Sequence, residues 1–170
     1  KPYIVPLRIE PERFTPEYPD PAKGRVTIVH APSNRGVKGT KYIHSAVENL
    51  KKKYDIEYIL VENMTQNEAF KEYQKADIIV DQILGGSYGV FSIEAMAMGK
   101  PVITYITDEM IKTFPDELPI VSASPLNIQE EIEKLIELNR LKEANSLIVK
   151  TSKDKDVLAL GLWFYALLND

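Results

Sequence analysis

Strand-like and helix-like segments alternate along most of the chain, and this alternation restricts the fold more than any other feature. Short apolar runs at residues 25–30, 56–61 and 77–83 have the length and composition of strands that are buried on both faces of a sheet. Segments with apolar residues at helical spacing lie between them. The pattern predicts an α/β fold, a doubly wound, Rossmann-like parallel sheet with helices on both faces.

The predicted helices and the remaining strands have identifiable boundaries. Residues 40–54 form an amphipathic helix, Thr65 and Glu68 form a capping box for a helix that runs to about residue 75, and Ser124-Pro125 begins another helix. Residues 90–98 predict a short helix, and strands are expected at 102–105 and 118–121. The apolar faces of the first and last helices comprise Ile43, Ala46, Val47, Leu50 and Tyr54, and Ile128, Ile132, Leu135 and Ile136.

Both ends of the chain differ from this alternating centre. More than half of the eleven prolines lie in residues 1–23, which excludes a helix or a central strand there. We interpret residues 1–23 as a linker or arm from a missing N-terminal domain, and residues 24–152 as the folded domain. Residues 153–170 predict a helix that packs either on the missing domain or into this one. The alternative is a complete protein with a flexible arm.

Composition excludes several classes of function. A net charge of −4 without a dense basic stripe argues against a nucleic-acid partner. The absence of cysteine excludes disulfides and thiol nucleophiles. His30 and His44 do not form a metal-ligand pattern, so we expect no metal and no cofactor. The N-terminus lacks the apolar core of a signal peptide, and the apolar run at 157–168 is shorter than a membrane span of about 20 residues. A cytoplasmic location is expected.

Two glycine-bearing loops, at 31–39 and 84–89, follow the first and third predicted strands. In a parallel sheet both loops lie at the carboxyl edge, where ligands bind. Arg35 and Lys38 lie in the first loop, ahead of a helix N-terminus, and together they suit an anion such as a nucleotide diphosphate. The alternative is a solvated basic loop.

Other polar residues fall at the same edge. Glu94 lies in an otherwise apolar helix, where it either accepts hydrogen bonds from ligand hydroxyls or complements its own helix N-terminus. His30 ends the first strand and either contacts a phosphate or sugar hydroxyl or has a structural role. Asp81 either supplies a carboxylate to the site or has a structural role, capping Ser87 or N–H groups of the glycine loop, and we favour the structural role. Glu62 ends the second strand, beside the expected site.

Residues 85–104, GGSYGVFSIEAMAMGKPVIT, resemble the signature of the family 4 (group 1) retaining glycosyltransferases, which have the GT-B fold. The matching positions are Tyr88-Gly89-Val90, Glu94-Ala95-Met96-Ala97, Gly99 and Pro101-Val102-Ile103. The family has a first glutamate that should fall at position 86, where this chain has Gly86. Because that glutamate lies beside the transferred sugar, nucleotide binding is better supported than transfer chemistry.

The resemblance implies the C-terminal, donor-binding domain of a GT-B enzyme. Such an enzyme would transfer a hexose from a nucleotide-diphosphate sugar without a metal. Arg35 and Lys38 take catalytic roles in this scheme, since they would stabilise the departing diphosphate, and Glu94 would hold the donor ribose. The other expected donor-binding residues are Gly39, Ser87, Tyr88, Gly89, Val90 and His30.

The resemblance also implies partners. The acceptor, a sugar, lipid or glycan, would reach the site through the missing domain, and peripheral membrane association of the full-length protein is a further expectation. We expect the chain alone to bind a donor without transferring sugar. Gly86 motivates one alternative, a catalytically degenerate nucleotide-binding or partner subunit. A nicotinamide-dependent dehydrogenase would need Gly-x-Gly-x-x-Gly after the first strand, and residues 31–36 lack it. A flavodoxin-type phosphate sensor would not predict the signature.

Overall fold

Five parallel strands form the centre of the computed structural model, which describes residues 9–20, 24–113 and 120–137. The sheet order is β2-β1-β3-β4-β5, and every pairing is parallel. This confirms the predicted α/β parallel sheet. The strands are β1 (Val26–His30), β2 (Ile56–Leu60), β3 (Ile78–Val80), β4 (Val102–Thr104) and β5 (Val121–Ser122).

Helices cover both faces of this sheet. One apolar core lies between the sheet and α2 with α6, and it includes Ile28, Ile43 and Ile132. The other lies between the sheet and α3 with α4, and it includes Val29, Ala69 and Ala95. The helices are α1 (Arg35–Lys38), α2 (Thr40–Leu50), α3 (Gln66–Lys75), α4 (Val90–Ala97), α5 (Asp108–Ile111) and α6 (Ile128–Glu137).

Helix boundaries agree with the sequence where a cap is strong and differ where it is weak. The predicted capping box is present, with Thr65 accepting from the Glu68 N–H and the Glu68 carboxylate accepting from the Thr65 N–H. The last helix begins at Ile128, later than predicted, because Ser124 and the residues after it form a turn. In that turn the Ser124 carbonyl accepts from the Asn127 and Ile128 N–H groups.

The short helices α1 and α5 were not predicted. Each is a single turn that a local cap stabilises: the Asn34 side chain accepts from the Val37 N–H, and the Thr107 hydroxyl accepts from the Met110 N–H. Of the strand expected at 118–121, the structure shows β5 starting at Val121, while residues 118 and 119 lie outside the described residues.

The described part of the proline-rich arm packs against the domain. The Glu17 N–H donates to the Met98 carbonyl at 3.0 Å, and the ring centroids of Phe14 and Phe70 are 5.7 Å apart. Gly99 leaves room for the Tyr18 ring, because a Cβ there would lie 2.5 Å from that ring. Residues 9–20 therefore dock on α3 and the end of α4. The predicted domain boundaries stay predictions, and the helix expected at 153–170 lies outside the described residues.

The strand order creates a switch point between β1 and β3. The chain leaves β1 through α2 on one face to reach β2, and leaves β2 through α3 on the other face to reach β3. Loops that leave adjacent strands in opposite directions open a crevice at the carboxyl ends of those strands. Both glycine-bearing loops begin there, as predicted.

None of the helices in the described ranges has the length and apolar character that crossing a membrane requires.

Gly39 should be a sensitive position for stability. It ends α1 with a φ of +79°, and a Cβ there would lie 2.6 Å from Ile83 Cγ1. We expect Gly39→Ala to lower the free energy of unfolding by about 2–4 kcal/mol, because left-handed backbone and overpacking both oppose the new methyl group. Denaturant titration measures this loss.

Gly24 supplies the matched control, since its φ is +74° and none of the described residues has an atom within 4 Å of a Cβ at this position. Gly24→Ala should cost only the backbone contribution, about 1–2 kcal/mol. Equal losses in the two variants would contradict the close contact with Ile83.

Candidate functional site

The two glycine-bearing loops are joined to one another directly. The Ile83 N–H, in the loop after β3, donates to the Lys38 carbonyl in the loop after β1 at 3.2 Å. The Lys38 ammonium donates to a carboxylate oxygen of Asp81. The prediction that these loops meet at one edge of the sheet is therefore confirmed by hydrogen bonds between them.

Asp81 connects Lys38 to the start of α4. Its carboxylate is fully buried, and besides Lys38 it accepts from the Ser92 hydroxyl at 2.7 Å. This is a structural role, but its partners are not the predicted ones. The Ser87 carbonyl accepts from the Gln82 side chain instead. Asp81 thus holds the first loop, the end of β3 and the first turn of α4 together.

Arg35 is exposed, and it pairs with Glu62 and not with Asp81. Its Nε donates to Glu62 Oε1 at 2.8 Å, and its Nη2 donates to Glu62 Oε2, which makes the pair bidentate. The hydrogen bond from Arg35 holds the pKa of the Glu62 carboxyl below its usual value. Arg35 and Lys38 therefore both lie at the predicted edge, each beside one carboxylate.

His30 is fully buried at the end of β1, with a partner at each ring nitrogen. Its Nδ1 donates to the Val80 carbonyl at 2.8 Å, and its Nε2 lies 2.9 Å from the Thr40 hydroxyl. Because a carbonyl only accepts, Nδ1 carries the proton of the neutral ring, and Nε2 accepts from Thr40. Burial lowers the pKa of His30 and favours this neutral form. Both ring nitrogens are therefore used within the fold, which favours the structural role of the two alternatives, and the donor-binding role of His30 stays a prediction. His44 is exposed.

Glu94 is half-buried on α4. Burial raises the pKa of its carboxyl, and the positive charge of Arg13, from the docked arm, opposes that rise. The placement of a cation from the arm near this residue was not predicted, because residues 1–23 have no periodic pattern that indicates where they pack. Glu94 is therefore a carboxylate held partly out of water, as a group that binds hydroxyls would be.

The glycine loop between β3 and α4 has the predicted backbone freedom, and Gly86 uses it. Its φ is +77°, its carbonyl accepts from the Thr107 N–H at 3.0 Å, and a Cβ there would lie 2.9 Å from Thr107 Cγ2. A glutamate at position 86 would need another backbone conformation. The glycine at position 86, where the signature has a glutamate, is therefore the residue that this loop conformation favours.

The remaining expected donor-binding residues surround the start of α4. Gly89 is the N-cap, and no side chain caps this helix. Ser87 and Tyr88 are half-buried, while Val90 is 45% exposed. Gly39 lies in the joined loops and has a structural reason to be glycine.

A cavity of about 560 Å³ opens beside α1 and α2. Arg35 is the one expected catalytic residue in its lining, and Glu94 and residues 87–90 do not line it. The Tyr58 hydroxyl is buried and has no hydrogen-bond partner among the residues that the structure describes, and burial raises the pKa of Tyr58 to about 12. The lining residues are Arg35, Gly36, Thr40, Lys41, Tyr42, His44, Tyr58, Leu60 and Leu84.

Comparison with known proteins gives a result for the fold only. No family model matches the sequence, and no curated protein matches it. Among solved structures, a GtfA/B complex matches with a TM-score of 0.55 and 12% identity over 89% of this chain and 37% of that one. The pneumococcal O-GlcNAc transferase GtfA, in complex with UDP and GlcNAc, matches with a TM-score of 0.52 and 15% identity over 91% of this chain and 38% of that one.

A third structure agrees with these two. A mutant of S. aureus TarM, in complex with Fondaparinux, alpha-GlcNAc-glycerol and UDP, matches with a TM-score of 0.50 and 14% identity over 92% of this chain and 38% of that one. The fold is one half of a GT-B architecture. This confirms the predicted resemblance at the level of fold. The GT-B domain described here spans less than two-fifths of the length of each of these proteins.

Sequence reasoning placed the loops of this GT-B domain correctly but missed the carboxylates that pair with the cations. Glu62 and Asp81 lie far from Arg35 and Lys38 in sequence, so no local spacing indicated the pairs. A usable signal was available: each carboxylate lies at the carboxyl end of a predicted strand, Glu62 just after residues 56–61 and Asp81 near the end of residues 77–83, and the carboxyl ends of neighbouring parallel strands lie side by side. Within the described ranges, no group of three or more His, Asp or Glu side chains is arranged to hold a metal ion.

The buried pair of Lys38 and Asp81 should contribute strongly to stability. We expect Asp81→Ala to lower the free energy of unfolding by about 3 kcal/mol, because it leaves a largely buried ammonium without its partner. Chemical denaturation of the purified chain measures the change.

The exposed pair of Arg25 and Asp55, with Nε and Oδ1 3.1 Å apart, gives the comparison. Asp55→Ala should cost only about 0–1 kcal/mol, since water solvates both charges. A loss at Asp81 no larger than that at Asp55 would show that the buried pair does not support the fold.

His30 predicts a dependence of stability on pH. Burial lowers its pKa from 6.5, so as the pH falls the unfolded chain binds the proton first. Stability from His30 is therefore complete above its unfolded pKa and decreases as the pH falls below it. We expect the free energy of unfolding to decrease as the pH falls below about 6.5, the ordinary pKa of histidine, and to decrease less steeply in His30→Asn.

Urea titrations at several pH values test this expectation, with His44→Asn as the control at an exposed position. Parallel curves for the wild type and His30→Asn would contradict the buried neutral ring.

Proposed function

We propose that this domain binds the diphosphate of a nucleotide-sugar donor at the joined loops, as the donor half of a retaining glycosyltransferase. The observation that carries the proposal is the direct connection between the loop with Arg35 and Lys38 and the loop that leads to Glu94, at the switch point of the sheet. The similarity in fold to GtfA, whose structure contains UDP and GlcNAc, supports the same reading.

Arg35 and Lys38 supply the positive charge that departure of a nucleoside diphosphate requires. When the sugar–phosphate bond breaks, negative charge accumulates on the leaving diphosphate, and preorganised cations stabilise it. The guanidinium of Arg35 is exposed and can donate hydrogen bonds to two phosphate oxygens. The ammonium of Lys38 has three donors, and its pair with Asp81 leaves donors for a phosphate while fixing the position of the nitrogen. The proposed reaction takes no metal cofactor.

The start of α4 adds backbone donors to this site. The first N–H groups of a helix have no partner within the helix, and here Gly89 provides no side-chain cap. These N–H groups and the positive end of the helix dipole suit a phosphate. Glu94, farther along the same helix, would accept hydrogen bonds from the ribose hydroxyls. A hexose would be transferred to an acceptor that enters through another domain.

A second candidate is a nucleotide-binding or partner subunit that does not transfer sugar. Gly86 favours it, because the loop conformation that this glycine adopts has no room for a carboxylate side chain beside Thr107. A transfer assay on the protein together with its other half, using nucleotide sugars of each base, separates the two candidates. Transfer by the wild-type protein would exclude the second.

Thermal melting tests the proposed site. At about 100 times its dissociation constant, a ligand adds about 2.7 kcal/mol to the free energy of unfolding, which should raise the melting temperature by several degrees. We expect this increase with one of UDP, GDP and ADP, and we expect Arg35→Ala and Glu94→Ala each to remove it.

Lys75→Ala and Glu72→Ala serve as matched controls, because they remove the same charges from an exposed pair on α3. Loss of the increase in these controls, or its survival in Arg35→Ala, would contradict the assignment of the site.

A further inference from the structure

Arg35 and Lys38 are paired with carboxylates that differ greatly in their access to water. The Lys38 side chain is 15% exposed and its partner Asp81 is 0% exposed. The Arg35 side chain is 63% exposed and its partner Glu62 is 21% exposed. The two cations are therefore not equivalent, although the sequence places them in one loop.

This difference decides which pair can open when an anion binds. If Lys38 moved away, Asp81 would keep a buried negative charge, and the Ser92 hydroxyl would be its remaining side-chain partner among the described residues, which is costly. If Arg35 turned towards a ligand, Glu62 could remain ionised, because it lies in a loop at the surface after β2 and water can solvate it. Arg35 is therefore the exchangeable cation, and Lys38 is fixed.

We propose that Glu62 sets the affinity of the anion site, and that a diphosphate binds by taking the place of the Glu62 carboxylate on Arg35. The proposal rests on the proposed function for the identity of the ligand. The carboxylate of Glu62 engages Nε and Nη2 of Arg35, and these are donors that a phosphate would use in a bidentate pair.

The exchange has a consequence for selectivity. Replacing one carboxylate by another gains no charge, so a singly charged carboxylate ligand has no advantage over Glu62. A diphosphate carries more negative charge and also meets Lys38 and the N-terminus of α4, so it can displace Glu62. By competing for Arg35, Glu62 thus lowers the affinity of the site for singly charged anions more than its affinity for a diphosphate.

Isothermal titration of the 170-residue chain at low ionic strength tests the exchange. Two probes are used, inorganic pyrophosphate for the anion site and UDP for the nucleotide site. Glu62→Gln removes the competing charge and keeps the side-chain shape, and we expect it to bind pyrophosphate about two- to fivefold more tightly than the wild type, the factor that an exposed ion pair is worth.

A double-mutant cycle then tests whether the effect passes through Arg35. Arg35→Ala weakens pyrophosphate binding but keeps Lys38, so this background is titrated at higher pyrophosphate concentrations. Glu62→Gln should give no gain there, because the pair no longer exists. Glu72→Gln, which removes a carboxylate paired with Lys75 on α3, should leave pyrophosphate affinity within error of the wild type. Melting temperatures of all variants confirm that each is folded.

Several outcomes would overturn the inference. Weaker binding in Glu62→Gln would mean that Glu62 positions Arg35 for the ligand. An equal gain in the Arg35→Ala background would mean that Glu62 acts only through its overall charge, and absence of pyrophosphate binding in every variant would remove the anion site. UDP binding without a gain in Glu62→Gln overturns this inference and leaves the proposed function standing. A gain with pyrophosphate but no UDP binding contradicts the proposed function alone.

Discussion

A buried ion pair between Lys38 and Asp81 holds together the two loops on which the candidate site depends. It joins the loop after β1 to the end of β3, and Asp81 extends the connection to Ser92 in α4. The backbone bond from Ile83 to Lys38 reinforces it. Because Asp81 is buried, separating Lys38 from Asp81 would leave an unpaired buried charge and requires a large free energy. The two loops are therefore held in a fixed position relative to each other. A ligand that touches both loops meets a preformed surface.

Backbone conformation limits the chemistry of this surface as much as charge does. Gly39 and Gly86 adopt left-handed conformations, and each has a side chain from a neighbouring loop in the space that a Cβ would need. Gly39 allows the loops to close on one another, and Gly86 allows the glycine loop to pack on Thr107. The same packing opposes a side chain at position 86, where the resemblance to the family 4 glycosyltransferases predicts a glutamate. Nucleotide binding and sugar transfer are therefore separate questions in this domain.

The sequence predicted the layers of the fold and the edge that carries the site, because both depend on local periodicity and on where loops follow strands. Helix α2 has its predicted apolar face, with Ile43 and Val47 fully buried. The pairing of Arg35 with Glu62 was not predicted, since local spacing does not show that β1 and β2 are neighbours in the sheet, and it is this neighbourhood that brings the two residues together. His30 shows the same limit: its type suited a ligand contact, but the strand pairing and α2 use both of its ring nitrogens.

The most direct test of the account is an NMR titration of the ¹⁵N-labelled chain with UDP. Glycine amides have a distinct position in the spectrum, and glycines lie both inside and outside the candidate site. The account predicts shifts for Gly36, Gly86 and Gly89, and unchanged signals for Gly24 and Gly99, which lie before β1 and after α4. Saturable shifts confined to residues outside the joined loops, or no shift at any UDP concentration, would contradict the claim that these loops form a nucleotide-diphosphate site.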